Sequence, residues 1–540
     1  MMTHRNPVVA PGVVRSASPA SRRTRRAPKS PAAVARRRSA TQGQLFIAVV
    51  VLAGVALALL SSPAMAAVPA VLALLGWAAL TLPLDLVAPG VVGLLLSLSS
   101  PEVNPAENKW RSPLYPLGKI VYKNLPIKFA VVDVLIVLLL VRAVMIILLS
   151  EQGRTGIDRR PPRPFAQAVL IAAGVVIAWL VYGIGTGGGI KNSLWQVRPL
   201  IMLPALALAI AVAATPAGIR RLRTAILFAG VVKALEGVVF YYTIVKPRGL
   251  NVAYVTTHSD TVLWATGTCI LLAEWFEIRN RRSRRNMLTL LPLFAVAMVL
   301  NNRRTVWVAV LVGLAFIIVV AHRPVKRQLA KLLGIGWPLL MAYIVVGFGT
   351  HSQSIAFKPV SMIDSVLFQR DASSSTRDIE NFNLLVTLRA RPLIGWGFGH
   401  PYIESVRAYD ISKFFAQYRY LPHNSFLGLW AFCGPIFAAG YFLLPVVAIF
   451  YAVGATRRSR SPLLRSSAAW AVCAVIAYLV QGWADIGLQD WTAVVCAGVG
   501  FGIGGALPRL TAGEDRSPNE SLSPVAVPLI QPRGAFTSVS

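Results

Sequence analysis

Residues 129–149 read FAVVDVLIVLLLVRAVMIILL, with two charges, Asp133 and Arg142, and no proline or glycine. At 1.5 Å per residue, a helix of this length spans the hydrocarbon core of a bilayer, about 30 Å thick. It is apolar all round, which suits a lipid-facing or deeply buried helix rather than a surface one. Comparable runs recur on both sides, near 45–60, 66–82, 84–100, 165–186, 199–214, 224–245, 261–277, 287–301, 305–321, 332–350, 423–453, 466–482 and 491–507. Of 540 residues, 55% are apolar and 14% charged, whereas a soluble domain carries about 25% charged residues. A soluble globular protein is therefore excluded. The expected fold is all-α, a polytopic integral membrane helix bundle of about 12–14 spans. Pro63, Pro83 and Pro89 interrupt the first runs and leave their count open.

Lysine and arginine number 54 against 21 acidic residues, for a net charge of +33. The cations cluster in short loops between apolar runs, the placement of topology determinants rather than of a phosphate-tracking patch, so no nucleic-acid partner is expected. The loops Arg154–Arg163, Arg220–Arg223, Arg279–Arg285, Arg323–Lys331 and Arg457–Arg465 should face the cytoplasm. Alternation then places 187–198, 246–260, the turn Asn301–Thr305, 351–422 and 483–490 outside, with both termini inside. Pro101–Lys128 dissents: it carries five cations, yet parity puts it outside. Five regions follow: a basic disordered tail over 1–44, a transmembrane bundle over 45–350, an extracytoplasmic domain over 351–422, further spans over 423–507, and a flexible tail over 508–540. The first tail holds ten Lys or Arg and no acid, which suits an orientation signal or contact with anionic membrane lipids. Cys269, Cys433, Cys473 and Cys496 lie within or beside apolar runs with no metal-ligand spacing, and read as small buried hydrophobes.

The segment His351–Pro422 is the longest hydrophilic stretch between spans, and a loop of that length is usually functional. It mixes charges of both signs with Trp396, Phe398, Tyr402, Phe414, Phe415, Tyr418 and Tyr420, and is too aromatic for a disordered linker. A helix is expected from about Asp378 to Leu388. Beyond it, Gly395, Gly397 and Gly399 allow a backbone turn packed closely against something bulky. Arg303 and Arg304 sit at the outer end of a tight hairpin, against the positive-inside bias, and either snorkel to lipid phosphates or form a fixed guanidinium site for a substrate phosphate. His423 and Asn424 stand at the mouth of a span. Within the spans, Lys233 and Glu236 should pair on one helix face and Asp133 and Arg142 should face neighbouring helices, while Asp485 and Asp490, in the last outer loop, either touch a substrate or are solvated.

The turn Asn302-Arg303-Arg304-Thr305 opens a span, and Ser/Thr residues with Arg377 precede a helix. Then come Pro392-Leu393-Ile394-Gly395-Trp396-Gly397-Phe398-Gly399 and His423-Asn424-Ser425-Phe426-Leu427, the latter followed by Gly434. In order and spacing this set resembles the O-antigen ligase and polymerase superfamily of bacterial membrane glycosyltransferases, over roughly residues 287–450. The resemblance implies transfer of a glycan from undecaprenyl diphosphate to an acceptor hydroxyl at the outer face of the bacterial cytoplasmic membrane. It implies no nucleotide sugar, metal or other cofactor. The partners are then a polyprenyl-diphosphate-linked glycan donor, a glycan or glycolipid acceptor, and membrane lipids. Under that reading Arg303, Arg304 and Arg377 offset the charge of the departing diphosphate. His423 takes the acceptor proton, its ordinary pKa of about 6.5 lying near working pH. Asn424 orients the imidazole or a sugar hydroxyl. A repeat-unit polymerase, a transferase acting on protein hydroxyls, a secondary transporter or flippase built on Glu236, and an assembly scaffold stay open as alternatives.

Overall fold

The computed structural model describes residues 82–98, 131–149, 159–350 apart from 251, 253 and 322, then 357, 359–361, 372–407, 410, 412 and 417–520. The runs expected at 45–60 and 66–82, the basic tail and the dissenting Pro101–Lys128 lie outside these residues. The described chain is helical, without strands. Its helices are α1 (Leu84–Ser97), α2 (Val131–Leu149), α3 (Arg163–Gly185), α4 (Ile190–Ala213), α5 (Pro216–Phe240, continued by the π-turn Tyr241–Val245), α6 (Asp260–Glu277) and α7 (Arg281–Leu300). They continue with α8 (Arg304–Val320), α9 (Arg323–Thr350), α10 (Ala372–Ala390), α11 (Ser425–Arg458), α12 (Pro462–Ala484) and α13 (Trp491–Glu520). Eight of these, α3, α4, α5, α7, α9, α11, α12 and α13, are long and apolar enough to cross a membrane. The chain is a polytopic helical membrane protein.

Most helix ends lie within a few residues of the apolar runs, but α4, α5 and α9 begin eight or nine residues earlier and α13 ends later. α9 begins at Arg323, since Lys326, Arg327 and Lys331 are good helix formers that hydropathy alone does not register. α13 continues past Leu507 to Glu520, and the Glu514 carboxylate accepts from the Ser459 hydroxyl and from the Ser461 backbone N–H.

α13 is the central helix. Its glycines bring neighbouring helices close, as small residues do in membrane bundles. A Cβ on Gly500 would lie 2.6 Å from the carbonyl of Ala471 on α12, and one on Gly504 2.6 Å from that of Ala448 on α11. Three charge pairs lie inside the bundle: Asp133 with Arg198 at 2.6 Å, Asp85 with Arg221 at 2.8 Å, and Lys233 with Glu236 at 2.7 Å. The four cysteines are buried free thiols.

The connections sort to two ends. At one, Arg465 donates to Glu277, Arg279 to Gln328, and Arg509 to the carbonyls of Ala211 and Ala214. This end gathers the basic loops. At the other end lie the α3–α4 turn, the α5–α6 connection, the α7–α8 turn, the segment carrying α10, and the α12–α13 connection.

The glycine-rich stretch after α10 fastens that segment to the bundle. Gly395, Gly397 and Gly399 have φ of 72°, 85° and 91°, in the left-handed region. α11 is broken at Gly434 (φ 70°, ψ 178°), and the following Pro435 has no N–H to give. Phe432 carbonyl, freed by the break, accepts from Gly397 N–H at 2.7 Å. Trp179 of α3 donates to the Ile394 carbonyl at 2.8 Å. A Cβ on Gly395 would meet the backbone of Phe432, one on Gly397 would fall 2.4 Å from the Cα of Gly183, and one on Gly399 would meet the Ser193 side chain. Gly397→Ala should therefore lower stability by about 1–3 kcal/mol through overpacking, with backbone strain added. Gly174→Ala, with nothing within 4 Å of its added Cβ, should change little; thermal midpoints of the purified variants compare the two.

Candidate active site

Arg303 ends the tight α7–α8 turn, where Asn302 adopts φ 52° and Asn301 is fully buried. The Asn301 side chain holds the α5–α6 connection beside it. Its Oδ1 accepts from the backbone N–H groups of Val255 (3.0 Å) and Thr256 (3.1 Å), and its Nδ2 donates to the carbonyl of Thr257 (3.0 Å). This clamp brings His258 against Arg303, whose Nη2 lies 2.6 Å from Nδ1 and 2.7 Å from Nε2 of the imidazole. The guanidinium also lies over the Tyr254 ring, 4.9 Å from its centroid. His258 Nδ1 is 2.7 Å from Asp485 Oδ2, and Asp485 is buried.

The second group forms on α10 and the approach to α11. Glu380 is buried on α10. Its Oε2 accepts from the His423 backbone N–H (3.2 Å) and stands 3.0 Å from His423 Nδ1. Arg377 lies one turn earlier on α10, and its charge acts on His423. Asn383 fixes α10 against the chain that follows, accepting from Ser405 and Val406 N–H and donating to the Val406 carbonyl.

The two groups share one end of the bundle. Ser425 Oγ donates to the Asp485 carbonyl at 3.0 Å, and Thr305 Oγ1 to Gln481 Oε1 at 3.1 Å. The starts of α8 and α11 are thus both tied to the end of α12. His423 is close enough for its charge to act on both Asp485 and His258.

Burial lowers the His423 pKa, but the hydrogen bond and charge of Glu380 and the charge of Asp485 outweigh it, so the value is raised despite opposition from Arg377. His258 moves the other way: burial pushes it down, Arg303 and His423 add to the effect, and Asp485 only partly offsets it. Burial would raise Asp485, yet His258, Arg303 and His423 hold it well below the usual carboxylate range. A neutral imidazole with its proton on Nδ1 fits His258 between an anion and a guanidinium. With Glu380 on Nδ1, His423 keeps its Nε2 lone pair for a substrate proton.

Of the residues singled out from sequence, Arg303, Arg377 and His423 gather here, and Arg304 opens α8 beside them. Asn424 takes another part: its Oδ1 accepts from Leu427 N–H at 3.1 Å and caps α11. The imidazole it was expected to orient is held by Glu380. Asp485 and Asp490 are neither solvated nor free; Asp490 accepts from Thr492 N–H at the start of α13, and burial pushes its carboxyl up to about 6. Sequence reasoning passed over His258 and Glu380. The signal for His258 was the one used for His423, an imidazole one turn before a span on the same expected side.

Glu380 orients His423 and favours its protonated form. Glu380→Gln should then lower the rate of any proton abstraction by His423 and move its acid limb to lower pH; a pH–rate profile reads both.

Residues 288–442 match a family model described as O-antigen ligase. No curated protein matches the chain.

Proposed function

We propose, from the match of residues 288–442 to the O-antigen ligase family model, that this chain transfers a glycan from undecaprenyl diphosphate to an acceptor hydroxyl. The reaction takes place at the outer face of the cytoplasmic membrane. The observation that carries the reading is the convergence of the Glu380–His423 and Asp485–His258–Arg303 groups, with Arg377, at one end of an apolar bundle. In the proposed step the acceptor oxygen bonds to the anomeric carbon and the bond from that carbon to the diphosphate oxygen breaks. The hydroxyl proton passes to His423 Nε2, and the electron pair leaves with the polyprenyl diphosphate. Arg303 and Arg377 supply fixed positive charge where that negative charge develops. Glu380 holds the imidazole and stabilises the imidazolium that forms. The apolar helices below admit the polyprenyl tail, and the basic loops at the opposite end face the cytoplasm.

A polymerase of the same superfamily would use the same donor and cations with a second carrier-linked repeat as acceptor. A deletion strain distinguishes the two: loss of a ligase strands long chains on the carrier, and loss of a polymerase strands single repeats. A strain whose carrier-linked glycans are unchanged would remove the proposed activity.

A further inference from the structure

His258 has no part in the bond-making step above, yet it is the residue that joins Arg303 to Asp485. Its ring is held from three sides and its backbone from a fourth. Asp485 takes its Nδ1 at 2.7 Å, the Arg303 Nη2 rests against it within 2.7 Å of both nitrogens, the Tyr254 ring lies 4.3 Å away centroid to centroid, and the Thr261 hydroxyl donates to its carbonyl. Arg303 could reach the site end without such a cradle, since the α7–α8 turn already places it there. What the cradle adds is a fixed direction for a long side chain that otherwise loses considerable rotamer entropy when it binds an anion.

We infer that His258 is a positioning residue for the donor diphosphate: as a neutral imidazole anchored on Asp485 it holds the Arg303 guanidinium in its binding orientation, and on protonation it releases it. This rests on the transferase reading. An imidazolium would place a second cation against Arg303 at hydrogen-bond distance, which costs free energy whatever the compensation from Asp485. The groups facing His258 are Asp485 from the α12–α13 connection, Arg303 from the α7–α8 turn, His423 from the approach to α11, and Tyr254 on its own loop. Asp485 alone favours the imidazolium, while Arg303 and His423 oppose it. Donor affinity should therefore fall in acid, through a group distinct from the proton-accepting His423.

Glutamine is the informative replacement. Its amide is flat, can donate to Asp485 and accept from Arg303, and does not titrate. The test is equilibrium binding of undecaprenyl diphosphate to the purified full chain, wild type, His258→Ala and His258→Gln, between pH 5 and 7.5. Each variant is first checked for an unchanged thermal midpoint. The expected result at pH 7.5 is about tenfold weaker binding for His258→Ala and a loss under about threefold for His258→Gln. On acidification the wild type should weaken while His258→Gln stays flat. Glutamine as weak as alanine at pH 7.5, alanine as tight as wild type, or an acid loss that persists in the glutamine variant would each overturn the inference. Wild-type protein that binds no undecaprenyl diphosphate would overturn the transferase reading itself, and this inference with it.

Discussion

Replacing His423 with alanine should reduce glycan transfer by about 10²–10⁴-fold, the usual worth of a positioned general base, while the protein still inserts and folds. The side chain has two anchors that make it suited to that task. Glu380 receives both its ring Nδ1 and its backbone N–H, so the imidazole is fixed in direction as well as in tautomer. It also keeps 28% of its side-chain surface exposed, enough for a hydroxyl to approach. Since its pKa is raised, the neutral form needed for proton abstraction is lost as pH falls through a value above the ordinary 6.5 or so. Transfer should therefore decline in mildly acidic buffer in the wild type. Initial rates with a defined carrier-linked glycan measure both effects, and a His423→Ala protein that transfers at the wild-type rate would take His423 out of the chemistry.

Arg303→Ala should cost about 10²–10³-fold in transfer, the scale for removing one preorganised group that stabilises developing negative charge. Arg303→Lys should recover part of the loss, because an ammonium keeps the charge but cannot both hydrogen-bond the His258 ring and lie over the Tyr254 ring as the guanidinium does. Of the two adjacent arginines, Arg303 is the one directed by Asp485 through His258, so Arg304→Ala should cost less. Single-turnover rates at saturating donor separate loss of chemistry from loss of binding. Equal losses for the two alanine variants would contradict the assignment of the diphosphate contact to Arg303.

The helices were largely legible because lipid imposes one rule on long segments, and runs such as 165–186 and 305–321 obey it with few interruptions. Alternation of the basic loops also anticipated which connections share an end. The structure gathers Arg465, Arg279 and Arg509 at one end and His258, Arg303 and His423 at the other. Arg303 and His423 stood out as polar groups at span ends where loop charge did not require them. The pairings were not legible. His258 meets Arg303 across 45 residues and Asp485 across 227, and His423 meets Glu380 across 43. No local period encodes such contacts, which depend on how the α5–α6 connection and α10 dock. Asn424, expected to orient the imidazole or a sugar hydroxyl, caps α11 through its Oδ1 from the position just before that helix. The alternate glycines mark a close-packed turn, but their neighbours are small rather than bulky: Gly395 meets α11 backbone beside the break at Gly434, Gly397 meets Gly183 of α3, and Gly399 meets Ser193 of α4.

The most direct test is to incubate the purified full chain with an undecaprenyl-diphosphate-linked glycan and candidate acceptors, and to follow the lipid product. Glycan transfer with release of free undecaprenyl diphosphate by the wild type, and neither by His423→Ala, is the predicted result. Wild-type protein that leaves the carrier fully glycosylated with every acceptor, or His423→Ala protein that releases it as fast, would contradict the account.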